Sequence, residues 1–316
     1  MIIDDVEIQS DIELLKPQSH ENVAIIPLKT PKNYIDLLTL KKGFELGLVE
    51  VKECEKSTVN TLIVKNHSVT PLILIDGEEV IGGDQNRIVN ATTIIAPESQ
   101  SPISVSCTER GRWAYKSEFK SSEYIANFNT RRAKMFAIRN AKPVQSEVWS
   151  SIGNLEELCC NISSTSAMSE TFEKENTHLE DILESFEIVE GQTGILIIVN
   201  GEIKGFEIFL NHGIYRAFHE KILKSYLIDS KIENTTFTIN EDVARLVIEN
   251  ALDSTFEKKE TKNLEDAYEF ENDEGLGKCY IYENEIMHLS YFKKTDEVKS
   301  ADNIDAADNV NLTAGE

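Results

Sequence analysis

Two short stretches of this chain carry more hydrogen-bonding side chains than a tight turn requires. The first lies within residues 71–97. An apolar strand runs into Asp76-Gly77-Glu78-Glu79, and Gly82, Gly83, Asp84, Gln85, Asn86, Arg87 and Asn90 follow. Gln and Asn each offer a carbonyl acceptor and two donors, and Arg offers a five-donor fork. Such a set suits a phosphate gripped bidentately by a guanidinium, with amides reading the rest of the ligand. Gly82 and Gly83 permit positive φ or a close backbone approach to that ligand. The second stretch is Ser106-Cys-Thr-Glu-Arg-Gly-Arg-Trp113. Glu109 and Arg112 fall at a strand end, Gly111 gives a bend, and Trp113 is either a core anchor or a platform for base stacking. On neighbouring antiparallel strands, Glu78, Arg87, Glu109 and Arg112 would come within reach of one another. The arginines would then contact phosphate, and the carboxylates would hold Mg²⁺ or serve as acid and base. A salt-bridged structural knot is the competing reading of the same residues.

Other chemistries lack their spacing. No Lys-Ser/Thr follows the glycines, so this is not a Walker loop, and neither G-x-G-x-x-G nor the Ca²⁺-loop pattern is present. Cys54, Cys107, Cys159, Cys160 and Cys279 are odd in number and form no C-x-x-C, which indicates neither a zinc site nor a disulfide framework. Cys107 alternates with Ile103 and Val105 and reads as a buried structural thiol, with a nucleophile as the minority reading. The histidines show no metal-ligand spacing, and His288, beside Leu289, is the first choice among them for a functional role.

The elements that must position these groups follow from periodicity. Residues 22–28 (NVAIIPL) predict a strand, and the apolar spacing in 33–52 predicts an amphipathic helix, weakened by Gly43 and Gly47. Residues 61–65, 71–75, 88–96 and 103–108 are short, rich in Val, Ile and Thr, and read as strands. Pro143 opens a helix carrying Val144, Val148, Trp149 and Ile152 on one face. Asn200-Gly201 between β-rich runs predicts a hairpin, followed by a helix with Phe218, Ile222, Leu223, Tyr226 and Leu227 on its apolar side. Residues 244–252 predict another helix, and 280–282 and 287–292 a last hairpin about Asn284 and Glu285. The fold class expected is α+β: an antiparallel sheet, sandwich or barrel core with packed helices and a C-terminal hairpin-helix region.

Charge is unevenly spread. The formal net charge is −23, and residues 1–150 carry only 18 cations against 20 anions, so the second half holds nearly all of the excess. That half repels polyanions and argues against a polymeric nucleic-acid partner. Between Arg110 and Lys142, however, nine cations face only Glu118 and Glu123. This window either holds a small anion or pairs with the acidic half of its own chain. No run approaches the ~18 apolar residues of a membrane helix. The acidic N-terminus is no secretory signal, so a cytoplasmic protein without a membrane partner is expected.

The runs DGEEVIGGDQNRIVN (76–90) and PISVSCTERGRW (102–113) resemble the ARG and rhodanese-phosphatase-superfamily-associated protein domain, a prokaryotic family, and the resemblance extends over about residues 20–292. It implies the domain at 21–292, as one unit or as two lobes, 21–150 and 151–292; composition makes 1–20 a polar lead-in and 293–316 a disordered acidic tail. It implies a setting in which ADP-ribose-derived or other phosphorylated nucleotide products are processed or sensed. The ligand-binding set expected from the residues is Asp76, Gly82, Gly83, Gln85, Asn86, Arg87, Asn90, Arg112 and Trp113, with Glu78 and Glu109 as the catalytic candidates and Mg²⁺ as the candidate cofactor. The alternative is a non-catalytic sensor or protein-interaction module.

Overall fold

The computed structural model describes residues 2–3, 6–7, 12–54, 59–161, 163–230 and 237–294. The fold is α+β, with helices α1 (Leu40–Glu45), α2 (Phe128–Arg139), α3 (Val144–Leu158), α4 (Met168–Leu183), α5 (His212–Leu227) and α6 (Glu241–Leu252) among the described residues. Nearly all strand pairing is antiparallel; Leu38–Thr39 on Leu72–Leu74 is parallel.

The largest sheet is ordered Glu257–Lys259, Asp266–Glu271, Gly275–Tyr282, Glu285–Lys293, Glu202–Phe209, Gly194–Val199, Val23–Lys29 and Glu13–Leu14, with Gln18–His20 also on Val23–Lys29. Its central strands are apolar on both faces because both faces are covered. Ile25, Ile195 and Ile197 pack towards Phe172, Phe218 and Ile222 of the helices. Ala24, Ile26, Leu196 and Ile198 pack on the other side with Ala244, Val247 and Ile248 of α6. Asn200 and Gly201 turn the central hairpin with φ of 54° and 79°, as an Asn-Gly pair should. The last hairpin turns one residue earlier than expected, at Glu283 and Asn284, both at positive φ.

A second sheet carries both polar stretches. Its order is Lys120–Ile125, Glu78–Ile81, Arg87–Val89, Ser99–Cys107, Thr61–Asn66 and Val49–Glu53. The strand expected at 88–96 is two strands. Arg87–Val89 stays in this sheet, and Thr93–Ile95 joins a three-stranded sheet with Leu72–Leu74. The break is held by side chains: Asn90 donates to Ser104 Oγ at 2.9 Å, and Thr92 Oγ1 accepts from Asp76 N–H at 3.0 Å.

The helix expected over 33–52 is confined to α1. Gly47, at φ +66°, ends it, with Gly47 N–H on Phe44 O and Leu48 N–H on Gly43 O. That is the double bond of a left-handed helix terminus. Val49–Glu53 then continues as a strand. Pro143 lies one residue before α3, and residues 295–316, most of the expected tail, fall outside the described residues.

Candidate functional site

The two motif stretches meet as the sequence indicated, but they mostly satisfy each other. Glu109 is the hub. Its carboxylate takes Arg112 Nη2 at 2.6 Å, Asn86 N–H at 3.3 Å and Thr165 Oγ1 at 3.1 Å. Burial raises its pKa, yet Arg112 and these donors outweigh burial and hold the carboxyl below its usual range. Arg112 also donates to Gly83 O at 2.7 Å, Ala114 O at 2.8 Å, Gly82 O at 3.1 Å and Asn86 Oδ1 at 3.2 Å. Gln85 Nε2 reaches Glu109 O at 2.9 Å, and Asn90 Oδ1 accepts from Ser106 Oγ at 2.8 Å. The glycines serve the chain itself. A Cβ on Gly82 would lie 2.5 Å from Glu118 O, and one on Gly83 would lie 2.3 Å from the Phe119 ring. Trp113 is 62% exposed, and its indole N–H donates to Arg110 O at 3.1 Å.

Arg87 is buried opposite Cys107 and less well satisfied. Its Nη1 bonds Gln85 Oε1 at 3.2 Å, Glu53 lies 3.7 Å away, and its Nε has no partner among the described residues. Burial pushes the Cys107 thiol up, which favours the unreactive protonated form. The adjoining cleft, about 520 Å³, is walled by Phe44, Phe119 and Tyr115 and by Glu50, Glu53, Asp84 and Glu118 against one cation, Lys52. That sign of charge repels a phosphate.

Glu78 does not join Glu109. Adjacent residues of a strand face opposite sides, and it is Glu79 that turns towards Glu109, taking Thr108 Oγ1 at 2.8 Å. Burial pushes Glu79 up to about 7 despite hydrogen bonds from Thr108 and Ser122. The expected four-residue group of Glu78, Arg87, Glu109 and Arg112 is therefore corrected to the pair Glu109–Arg112, with Arg87 linked through Gln85. Glu78 and Glu109 supply no shared ligand set for Mg²⁺; among the described residues no three His, Cys, Asp or Glu converge to hold a metal.

Glu78 instead lies beneath a separate pocket of about 370 Å³, bordered by α4, α5 and the strand Lys120–Ile125. Lys221 reaches back from the pocket to Glu78 Oε1 at 3.4 Å and Ser121 Oγ at 3.4 Å, with its side chain only 6% exposed. Lys224 bonds Asn176 Oδ1 at 2.8 Å and lies over the Tyr124 ring at 5.8 Å. Lys41 pairs with Glu123 at 2.6 Å and Lys224 with Glu180 at 3.5 Å. Arg216 is exposed at the rim beside Glu220 and has no hydrogen bond or ion pair among the described residues.

Asp76 belongs to a fourth arrangement, closed to solvent. Arg131 grips Glu207 with both terminal nitrogens at 2.7 Å. His288 joins Glu207 at 3.1 Å and Thr92 at 2.7 Å, Thr92 takes the Asp76 N–H, and the Asp76 carboxylate pairs with Lys134. His288 is thus a core residue that ties the two halves of the chain. Two cations of the basic window pair with the acidic half of the chain: Arg131 with Glu207, and Arg139 with Glu257, Glu269 and Glu271.

A family profile, the ARG and Rhodanese-Phosphatase-superfamily-associated Protein domain, matches residues 11–292. The chain belongs to this family. No curated relative and no solved structure matches it. The match spans the motif knot, the pocket over Glu78 and the buried network, so each is part of the family domain. No helix among the described residues is long and apolar enough to cross a membrane.

Sequence reasoning missed Lys221, Lys224, Arg216, Tyr124 and Glu79. One signal was present. Lys221 lies three residues after Phe218 and one before Ile222, inside the apolar arc of α5, and a lysine inside an apolar arc needs a buried partner or a ligand.

Proposed function

We propose that this domain binds a phosphorylated, ADP-ribose-like nucleotide derivative in the pocket over Glu78. The observation that carries this reading is Lys221, a nearly buried ammonium whose partners among the described residues both lie at 3.4 Å. A closer, charged acceptor in the pocket would bind the ammonium better than either of these long contacts. Arg216 at the rim adds an uncommitted guanidinium suited to bidentate phosphate contact. Glu180 and Glu220 supply acceptors for ribose hydroxyls, and Tyr124 supplies an aromatic wall. The combination of cations with carboxylates fits a sugar phosphate better than an inorganic anion.

Between processing and sensing, the geometry favours sensing. Glu109 is locked by Arg112, and Glu78 stands behind Lys221 rather than at the ligand. Isothermal titration calorimetry with ADP-ribose, AMP, ribose 5-phosphate and adenosine tests the reading. The phosphorylated compounds should bind and adenosine should not. Losing one charge-assisted bond, worth about 1.5–3 kcal/mol, should weaken binding roughly 10- to 100-fold in Arg216→Ala and in Lys221→Met. Unchanged affinity in both variants would overturn the assignment. Product formation from any of these ligands, followed by chromatography, would defeat the sensor reading.

A further inference from the structure

Lys221 stands between Glu78 and the pocket. On the inner side is Glu78 Oε1 at 3.4 Å, and on the outer side is the pocket. We propose that a bound phosphate draws the Lys221 ammonium away from Glu78 and that Glu78 takes up one proton from solvent as this happens, so that ligand binding is proton-linked. The inference rests on the nucleotide reading of this pocket. The balance is simple: hydronium or the buffer acid gives up one proton, that proton forms an O–H bond on a Glu78 carboxylate oxygen, and the lysine keeps its charge.

The surroundings of Glu78 leave few alternatives. The carboxyl has no solvent exposure. From α5 it faces Lys221. From the turn before its own strand it receives Ile75 N–H at 3.4 Å on Oε2. From the strand Lys120–Ile125, Ile125 lies opposite Glu78, and Ser121 contacts Lys221. Glu79 turns to the opposite face, towards Thr108. Of the other rim cations, Lys41 pairs with Glu123 and Lys224 with Glu180, and Arg216 stands exposed at the rim; none of the three acts on Glu78, whose one charged influence is Lys221. Lys221 is therefore the only cation holding Glu78 ionised among the described residues. Burial already pushes the carboxyl up, and Lys221 is the main opposing influence. A buried carboxylate stripped of its cation neutralises rather than staying charged.

The test is calorimetric titration of ADP-ribose and AMP at pH 8, about two units above the second phosphate pKa of about 6, so that the ligand's own protonation contributes little. Titrations in buffers of different ionisation enthalpy give the protons taken up per ligand. The expected result is uptake of up to one proton in the wild type and none in Glu78→Gln, whose amide mimics the protonated acid and should still bind. The wild-type Kd should rise by up to tenfold per pH unit above pH 8, while that of Glu78→Gln stays level. Lys221→Met, which leaves Glu78 without a cation from the start, should also show no uptake; it covers the case in which Glu78→Gln fails to fold. Binding without proton uptake in the wild type overturns this inference and leaves the nucleotide reading standing. Absence of binding by every phosphorylated probe overturns both.

Discussion

Glu207 shows how much a single side chain carries when its charge is enclosed. It accepts two bonds from Arg131, one from the Tyr226 hydroxyl at 3.1 Å and one from His288, with no solvent exposure. Burial raises its pKa, but Arg131 and His288 reverse that and pull the carboxyl down to about 2 from 4.5. A folded-state pKa below the unfolded value means that the unfolded chain binds more protons in between. The stabilisation is then complete above about pH 4.5 and is lost as pH falls towards 2. Glu207→Gln should therefore lose about 3–5 kcal/mol at pH 7, because Arg131 is left buried without its counter-charge. The variant should also show a shallower fall in stability between pH 4.5 and 2 than the wild type. Urea unfolding at pH 7 and pH 3 measures both, and parallel pH curves for the two proteins would refute the assignment.

At the scale of elements, the motif turns act as joints between strands, and the glycines there are not interchangeable. Gly82 holds φ +128° with the Glu118 carbonyl 2.5 Å from where a Cβ would sit, whereas Gly47, at φ +66°, has nothing within 4 Å. Gly82→Ala must therefore displace backbone as well as adopt a strained dihedral, and should cost about 2–3 kcal/mol or more. Gly47→Ala meets only the dihedral term, about 1 kcal/mol. Thermal unfolding of the two variants side by side checks this, and equal shifts would remove the close-approach argument. The same contrast explains what the sequence could reveal. The knot was legible because Arg87 and Cys107 are directly paired across two strands only some twenty residues apart in sequence, which brings Gln85, Asn86, Glu109 and Arg112 together even though Thr93–Ile95 between them leaves for another sheet. Strand alternation puts Glu78 and Glu79 on opposite faces, and the expected grouping of Glu78 with Glu109 did not apply it. Lys221 lies 143 residues from Glu78, and only tertiary packing brings them together. Residues 33–52 failed for a different reason: their apolar spacing fits a helix, but Val49 and Val51 are taken by a sheet and Gly43 must lie flat against Val49.

Over the whole molecule, the division of charge near residue 150 does not correspond to a division of the core. Val23–Lys29 has its long register with Gly194–Val199, from Val23 opposite Val199 to Leu28 opposite Gly194. Arg131, Thr92 and Asp76 of the first half close a buried polar chain with Glu207 and His288 of the second. A fragment of residues 1–150 would thus expose an entirely apolar strand along one edge and leave Arg131 unpaired in a half-built interior. Both conditions oppose folding, the first by opening an aggregation-prone edge and the second by stranding a charge. We expect the fragment 1–150 to give no cooperative calorimetric transition, where the full chain gives one, and to regain the transition when residues 151–316 are co-expressed with it. A cooperative transition from the isolated fragment, with dispersed amide resonances, would show that the first half folds alone. The acidic second half would then be a separate unit, and the Arg131–Glu207 contact a docking interaction between two domains instead of part of one core.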